Sequence, residues 1–207
     1  VKYVCCHHEQ AAAIAAQAYG MYDETLNVCL VTTGPGGTNA LTGVAAAYVD
    51  STPVIYLSGQ VKRDDFASLR GVRQFGAQEN DIVSMARPVT KYAVVVMNPE
   101  DIAYELEKSV YLATHGRKGP VWIDIPLDVQ SSMIDENSLR HYEPEKETGI
   151  VNLEEVVKYT VDILKDAKRP VLLIGQGMVS SKAQDIVHEL VDKTGIPVLA
   201  TWRALDF

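Results

Sequence analysis

Short apolar runs alternate with longer, Ala- and Leu-rich runs along most of the chain. The apolar runs are Val1–Cys6, Asn27–Thr32, Pro53–Leu57, Ala93–Met97 and Val121–Ile125, each bounded by turn residues and rich in β-branched or aromatic side chains. Runs of that length and composition predict strands buried on both faces. Between them, Glu9–Tyr22, Gly37–Val49, Asn80–Ala86 and Pro99–His115 predict helices. At Pro99-Glu100-Asp101 the proline presets the first helical turn and the acids sit at the positive end of the helix dipole. Strands alternating with helices predict an α/β fold, a mainly parallel sheet with helices on both faces.

The segment Pro126–Thr148 breaks the alternation. It is polar, charged and without periodicity, which predicts a linker. Beyond it the pattern resumes, with helix Asn152–Lys165, strand Pro170–Ile174, helix Ser181–Lys193 and strand Pro197–Thr201. The expected organisation is a first α/β domain over 1–130, a linker over 131–150 and a second α/β domain over 151–207. A block of about 60 residues is short for a complete domain. The chain opens on Val1 without an initiator methionine and ends at Phe207 just after a strand. These features predict a clipped first domain and a truncated second one.

Composition narrows the function classes. Of 207 residues, 47% are apolar and 22% charged, which is ordinary for a globular protein and argues against disorder. The formal charge of −8 and the absence of a basic run argue against nucleic acid or an anionic membrane as partner. No run approaches the roughly 20 apolar residues that span a bilayer. Cys5, Cys6 and Cys29 are too few for a disulfide framework and read as small core residues of a reduced, cytoplasmic protein.

Three stretches could carry chemistry. His7-His8-Glu9-Gln10 joins a predicted strand to an Ala-rich helix, where ligands bind in open α/β sheets. A carboxylate there is expected to be partly desolvated, with its pKa raised. On these four residues alone the plainer reading is a helix-start acid beside two loop histidines. A metal reading lacks a third ligand at sensible spacing. The second stretch, Thr32-Thr33-Gly34-Pro35-Gly36-Gly37-Thr38-Asn39, permits close backbone approach to a flat or anionic ligand, or is a structural turn. It carries neither the Lys-Ser/Thr of a phosphate-binding P-loop nor a dinucleotide spacing. The third, Gly175-Gln176-Gly177-Met178, is a dinucleotide cradle or an ordinary turn. The turn at Trp202-Arg203-Ala204 is equally open.

Taken together, the first two stretches are far more specific. His8-Glu9-Gln10, Thr33 to Asn39, and Ala47-Tyr48-Val49-Asp50-Ser51-Thr52-Pro53 running into Leu57-Ser58-Gly59-Gln60 resemble the pyrimidine-binding domain of thiamine-diphosphate enzymes, in particular the acetolactate synthase family. Phe75 to Val83 resembles the stretch after that domain's third strand, and Arg117 to Gln130 its closing strand. The resemblance covers about residues 1 to 130, and from Arg169 the chain resembles the start of the family's central domain.

The resemblance implies thiamine diphosphate as cofactor and Glu9 as the catalytic carboxylate that hydrogen-bonds N1′ of its aminopyrimidine. It implies that Thr33, Gly34, Pro35, Gly36 and Asn39 line the pyrimidine pocket with Glu9. Phe75 and Gln78 would lie near the substrate, although the family places an aromatic directly before the glutamine, where Ala77 stands. Mg2+ is implied with its ligands outside this chain, and some members bind FAD in the central domain. The implied activity is decarboxylation of a 2-keto acid such as pyruvate followed by carboligation, with the site completed by a second subunit of a homo-oligomer. The stretch alone is expected to be inactive. Another keto-acid decarboxylase or carboligase, or a non-catalytic assembly domain, are the alternatives.

Overall fold

A computed structural model describes residues 2–23, 25–145, 149 and 152–205. The chain forms two compact units, Val1–Pro144 and Glu145–Phe207. In the first, the order is α1 (Glu9–Asp23), β1 (Asn27–Val31), α2 (Pro35–Val49), β2 (Val54–Gln60), α3 (Ile82–Ala86), β3 (Tyr92–Val95), α4 (Ile102–Thr114), β4 (Val121–Pro126) and α5 (Leu127–Gln130). The four strands are all parallel, in the order β1-β2-β4-β3.

Side chains alternate across this sheet and feed two cores. Cys29, Val31, Val54, Tyr56 and Trp122 face a core completed by α1, α2 and α3, through Ala13, Ala40, Val44, Ala47, Ile82 and Val83. Ile55, Val121 and Ile123 face the opposite core, which α4 closes with Ile102, Leu106 and Ala113. Tyr56 and Trp122 stack at 5.7 Å between ring centroids. The strands therefore read as near-continuous apolar runs because both faces are covered.

The first predicted strand does not form. Val1 lies outside the described residues, and 2–6 pair with no strand. A strand gains its stability from the ladder it joins, and this segment, exposed throughout, joins none. Cys5 and Cys6 are exposed with it, contrary to expectation, and only Cys29 is a core residue. Two further boundaries move. α2 begins at Pro35 rather than Gly37, since proline is preset for a first helical turn. β2 continues through Ser58-Gly59-Gln60, polar residues that an apolar pattern does not mark.

α1 and α2 run side by side in the same direction. Asn39 meets Glu9 and Asp50 meets Gln17. Between those contacts a Cβ on Gly43 would stand 2.6 Å from the Ala13 backbone carbonyl carbon. Small residues at the seam let the two backbones touch.

The segment after β4 folds back on the first unit. Arg140 pairs with Asp101 at 2.9 Å, His141 Nδ1 lies 2.7 Å from Glu107, and the Tyr142 ring meets Tyr104 edge-on at 5.5 Å. Within the expected linker, 146–148 and 150 lie outside the described residues. The second unit contains α6 (Leu153–Asp166), β5 (Leu172–Ile174), α7 (Gln176–Ser180), α8 (Gln184–Thr194) and β6 (Val198–Ala200). β5 and β6 pair in parallel. No helix among the described residues is long and apolar enough to cross a membrane.

The seam makes a prediction. Gly43→Ala improves helix propensity by about 1 kcal/mol but drives a methyl into backbone. It is expected to destabilise the protein by about 1–3 kcal/mol, measured by denaturant unfolding. A stabilised variant would show that the helices do not touch there.

Candidate functional site

Glu9 opens α1, and its carboxylate is fixed from α2: the Asn39 side-chain amide donates to Oε2 at 3.1 Å. The other oxygen lies 3.7 Å from where a Cβ on Gly36 would stand, a position only 2.8 Å from the Thr32 side chain. Glu9 thus borders a close approach of Thr32 to Gly36 that only glycine permits. Its pKa is lowered rather than raised, first by the Asn39 hydrogen bond and then by its own backbone N–H. The expected desolvation is outweighed because the carboxylate stands at an open edge with donors beside it. His7 and His8 are exposed, and His8 Nδ1 accepts from the Gln10 backbone N–H at 3.1 Å.

The glycine stretch follows β1 and opens α2. Gly34 has φ 63° and caps the helix, and Pro35 is its first residue. A Cβ at Gly34 would sit 2.0 Å from the Gln78 carbonyl oxygen, so the loop holding Gln78 lies directly on this glycine. Gln78 itself has φ 60°, unusual outside glycine. Glu79 ties its own loop by accepting from the backbone N–H groups of Ala67, Phe75 and Gly76. Phe75 is half exposed, with the Arg70 guanidinium 3.9 Å above its ring. The structure therefore brings together Glu9, Asn39, Gly36 and, on the neighbouring loop, Gln78 against Gly34.

Beneath the loops lies a buried polar network in which Thr33 alone had an expected role, in the pyrimidine pocket. The Trp122 indole donates to Ser58 Oγ at 2.8 Å, and the Ser58 hydroxyl donates to Asp124 Oδ1. Gln60 Nε2 donates to Asp124 Oδ2 at 2.9 Å, and Thr33 Oγ1 donates to Gln60 Oε1 at 2.8 Å. The signal was present: a carboxylate inside the apolar run Val121–Ile125 needs buried partners.

In the second unit, Gly175 precedes α7. A Cβ there would meet Thr201 at 3.5 Å, whereas one on Gly177 would meet nothing. Trp202 is exposed and Ala204 buried. Among the described residues no group of three or more His, Cys, Asp or Glu could hold a metal ion.

Residues 1–85 match the family described as thiamine pyrophosphate enzyme, N-terminal TPP binding domain. Residues 157–207 match thiamine pyrophosphate enzyme, central domain. The chain is 38% identical over 210 residues to the acetolactate synthase large subunit of Corynebacterium glutamicum, covering 99% of this chain and 32% of that protein. It is 36% identical over 212 residues to the acetolactate synthase isozyme 3 large subunit of Escherichia coli, covering 99% and 35%. To the chloroplastic acetolactate synthase of Arabidopsis thaliana it is 34% identical over 215 residues, covering 99% and 30%. The chain spans about a third of the length of these relatives.

Asp124 makes the network pH-sensitive. Burial pushes its carboxyl up from 3.8 to about 6, although hydrogen bonds from Ser58 and Gln60 pull it down. The folded state then holds this proton more tightly than the unfolded chain, so stability falls as pH rises from about 4 to about 6. The loss is roughly 3 kcal/mol, complete by about pH 7. Asp124→Asn lacks this titration. Across that range its stability relative to wild type is expected to shift in the variant's favour by that amount, measured by denaturant unfolding. A constant difference would place Asp124 in a solvated environment.

Proposed function

Because the chain belongs to the thiamine pyrophosphate enzyme family, we propose that Glu9 and the loop Thr33–Asn39 hold the aminopyrimidine ring of thiamine diphosphate. The observation that carries this reading is the Glu9 carboxylate, held on one oxygen by Asn39, with its other oxygen over Gly36. The residues fit such a ring. Gly36 brings its backbone close to the Glu9 carboxylate, Pro35 adds an exposed apolar face, and Thr33 is drawn back onto Gln60, while Gly34 seats the Gln78 loop.

When bound, thiamine diphosphate supplies the nucleophilic carbon and the electron sink that 2-keto acid decarboxylation requires. Glu9 shares a proton with a ring nitrogen through its carboxylate, and Asn39 keeps that carboxylate aimed. Under a bound ring Glu9 would lose its water, and its pKa would move upward, toward the range of proton exchange. Gln78, on the loop over Gly34, is assigned to the substrate side, and Phe75 to the outer rim beside Arg70.

The proposed activity of the whole protein is decarboxylation of a 2-keto acid such as pyruvate and transfer of the two-carbon unit to an acceptor. The relatives' shared name, acetolactate synthase, supports this choice. In this reading a second subunit of a homo-oligomer holds the diphosphate and Mg2+. The exposed apolar residues Ile14, Tyr19 and Tyr22 of α1, Tyr48 and Val49 of α2, and Val28 and Leu30 of the edge strand β1 support such a partner surface. Gly175-Gln176-Gly177-Met178 adds no support for FAD.

Two variants, made in the protein expressed from its complete reading frame, test the assignment. Glu9→Gln retains a hydrogen bond to the ring but no shareable proton. It is expected to slow exchange of the C2 proton of bound thiamine diphosphate by about 100-fold or more, followed by NMR. Exchange at the wild-type rate would remove Glu9 from the chemistry. Gly36→Val fills the space beside Glu9 and is expected to abolish cofactor uptake in calorimetry. Unchanged affinity would reduce the loop to a structural turn.

A further inference from the structure

Gln60, the last residue of β2, is buried to 7% exposure, and its side-chain amide joins the two loops of the proposed pocket. Its Oε1 accepts from the Thr33 hydroxyl at 2.8 Å and from the Val61 backbone N–H at 3.0 Å. Its Nε2 donates to the Asn80 carbonyl at 3.1 Å and to Asp124 Oδ2 at 2.9 Å. A primary amide has two donor hydrogens and two acceptor lone pairs, so its capacity is fully used. Turning the amide over would set donor against donor at Val61 and acceptor against acceptor at Asn80 and Asp124. The orientation is therefore fixed from all sides.

What the amide joins gives it a role. Thr33 begins the glycine loop beside Glu9. Asn80 lies two residues beyond Gln78, whose carbonyl presses on Gly34. Both residues of that contact have left-handed backbones, φ 63° at Gly34 and φ 60° at Gln78. Glycine takes such a φ freely, but at Gln78 it persists only when the surroundings hold it. Gln60 braces both loops, and Asp124, itself held through Ser58 and Trp122, braces Gln60 from within the sheet.

We propose that Gln60 is a positioning residue for the cofactor slot: by holding Thr33 and Asn80 at once, it sets the spacing between the glycine loop and the Gln78 loop. The inference rests on the reading of this site as a thiamine diphosphate pocket. Gln60 touches neither the cofactor nor the substrate. It preorganises the walls so that a planar ring enters without the loops moving.

The test is a double-variant cycle on thiamine diphosphate affinity with Mg2+, measured by calorimetry on the protein expressed from its complete reading frame. Gln60→Met keeps the length of the side chain and removes all four hydrogen bonds. Thr33→Val removes only a hydroxyl. Gln60→Met is expected to weaken binding about tenfold or more, and Thr33→Val several-fold in the same direction. The double variant is expected to be no weaker than Gln60→Met alone, because the Thr33 hydroxyl acts through Gln60. A role confined to stability would lower the unfolding temperature and leave the affinity of the folded protein unchanged. Wild-type affinity in Gln60→Met, or effects that multiply in the double variant, overturns the proposal.

Should Gln60→Met not fold, Thr33→Val decides. Weakened binding with a near-wild-type unfolding temperature supports the proposal, and unchanged binding overturns it. A wild-type protein that takes up no thiamine diphosphate overturns the reading of the site and this inference with it. Tight wild-type binding with an indifferent Gln60→Met overturns the inference alone.

Discussion

The backbone contact between α1 and α2 sets the geometry of everything at the site. Gly43 lies against Ala13 so closely that a methyl group has no room. Side chains four residues apart on a helix share a face. Glu9 is one turn before Ala13 and Asn39 one turn before Gly43, so two parallel helices locked at 13 and 43 must bring 9 and 39 together. The 3.1 Å hydrogen bond between them is the consequence. A larger seam residue would separate the helices and leave the Glu9 carboxylate pointing into water with no fixed direction.

The second constraint is polar. A parallel sheet covered on both faces has no solvent to satisfy a carboxylate, yet Asp124 stands in its middle. Ser58, Gln60 and Trp122 resolve the conflict by forming one continuous hydrogen-bonded line toward the glycine loop. Apolar residues there would pack as well or better. The line instead gives the two loops a common anchor in the buried sheet, and sites built on such elements gain precision.

Much of this was legible in the sequence. The alternation of apolar runs with Ala-rich helices marked four strands and four helices of the first unit within a few residues. The pairing of Glu9 with the glycine stretch pointed to the neighbourhood where Glu9, Asn39 and Gly36 meet, and the family resemblance supplied the chemistry proposed for it. The misses have physical causes. Val1–Cys6 has the composition of a strand, but composition cannot supply a neighbouring ladder, and Cys5 and Cys6 are exposed for the same reason. The rise predicted for the Glu9 pKa neglected the Asn39 donor, which arrives from a helix 30 positions away. Ser58 and Gln60 look like the polar end of a strand until Asp124 is seen beside them. The turn back of Arg140–Tyr142 onto α4 has no periodicity to announce it. It rests on the Arg140–Asp101 ion pair, on the contacts of His141 Nδ1 and the Tyr142 backbone N–H with Glu107, and on contacts among Tyr104, Tyr111 and Tyr142.

In the proposed site, the Glu9 carboxylate, aimed by Asn39, is where the cofactor ring meets the protein. The most direct measurement is the titration of that carboxyl by carbon NMR, without and with thiamine diphosphate and Mg2+. In the free protein the carboxyl is expected to titrate below its ordinary value of 4.5. With the cofactor bound, its titration is expected to move upward as the ring displaces water and shares a proton with it. An identical titration in the two states, with the cofactor demonstrably bound, would place the ring elsewhere and contradict the account.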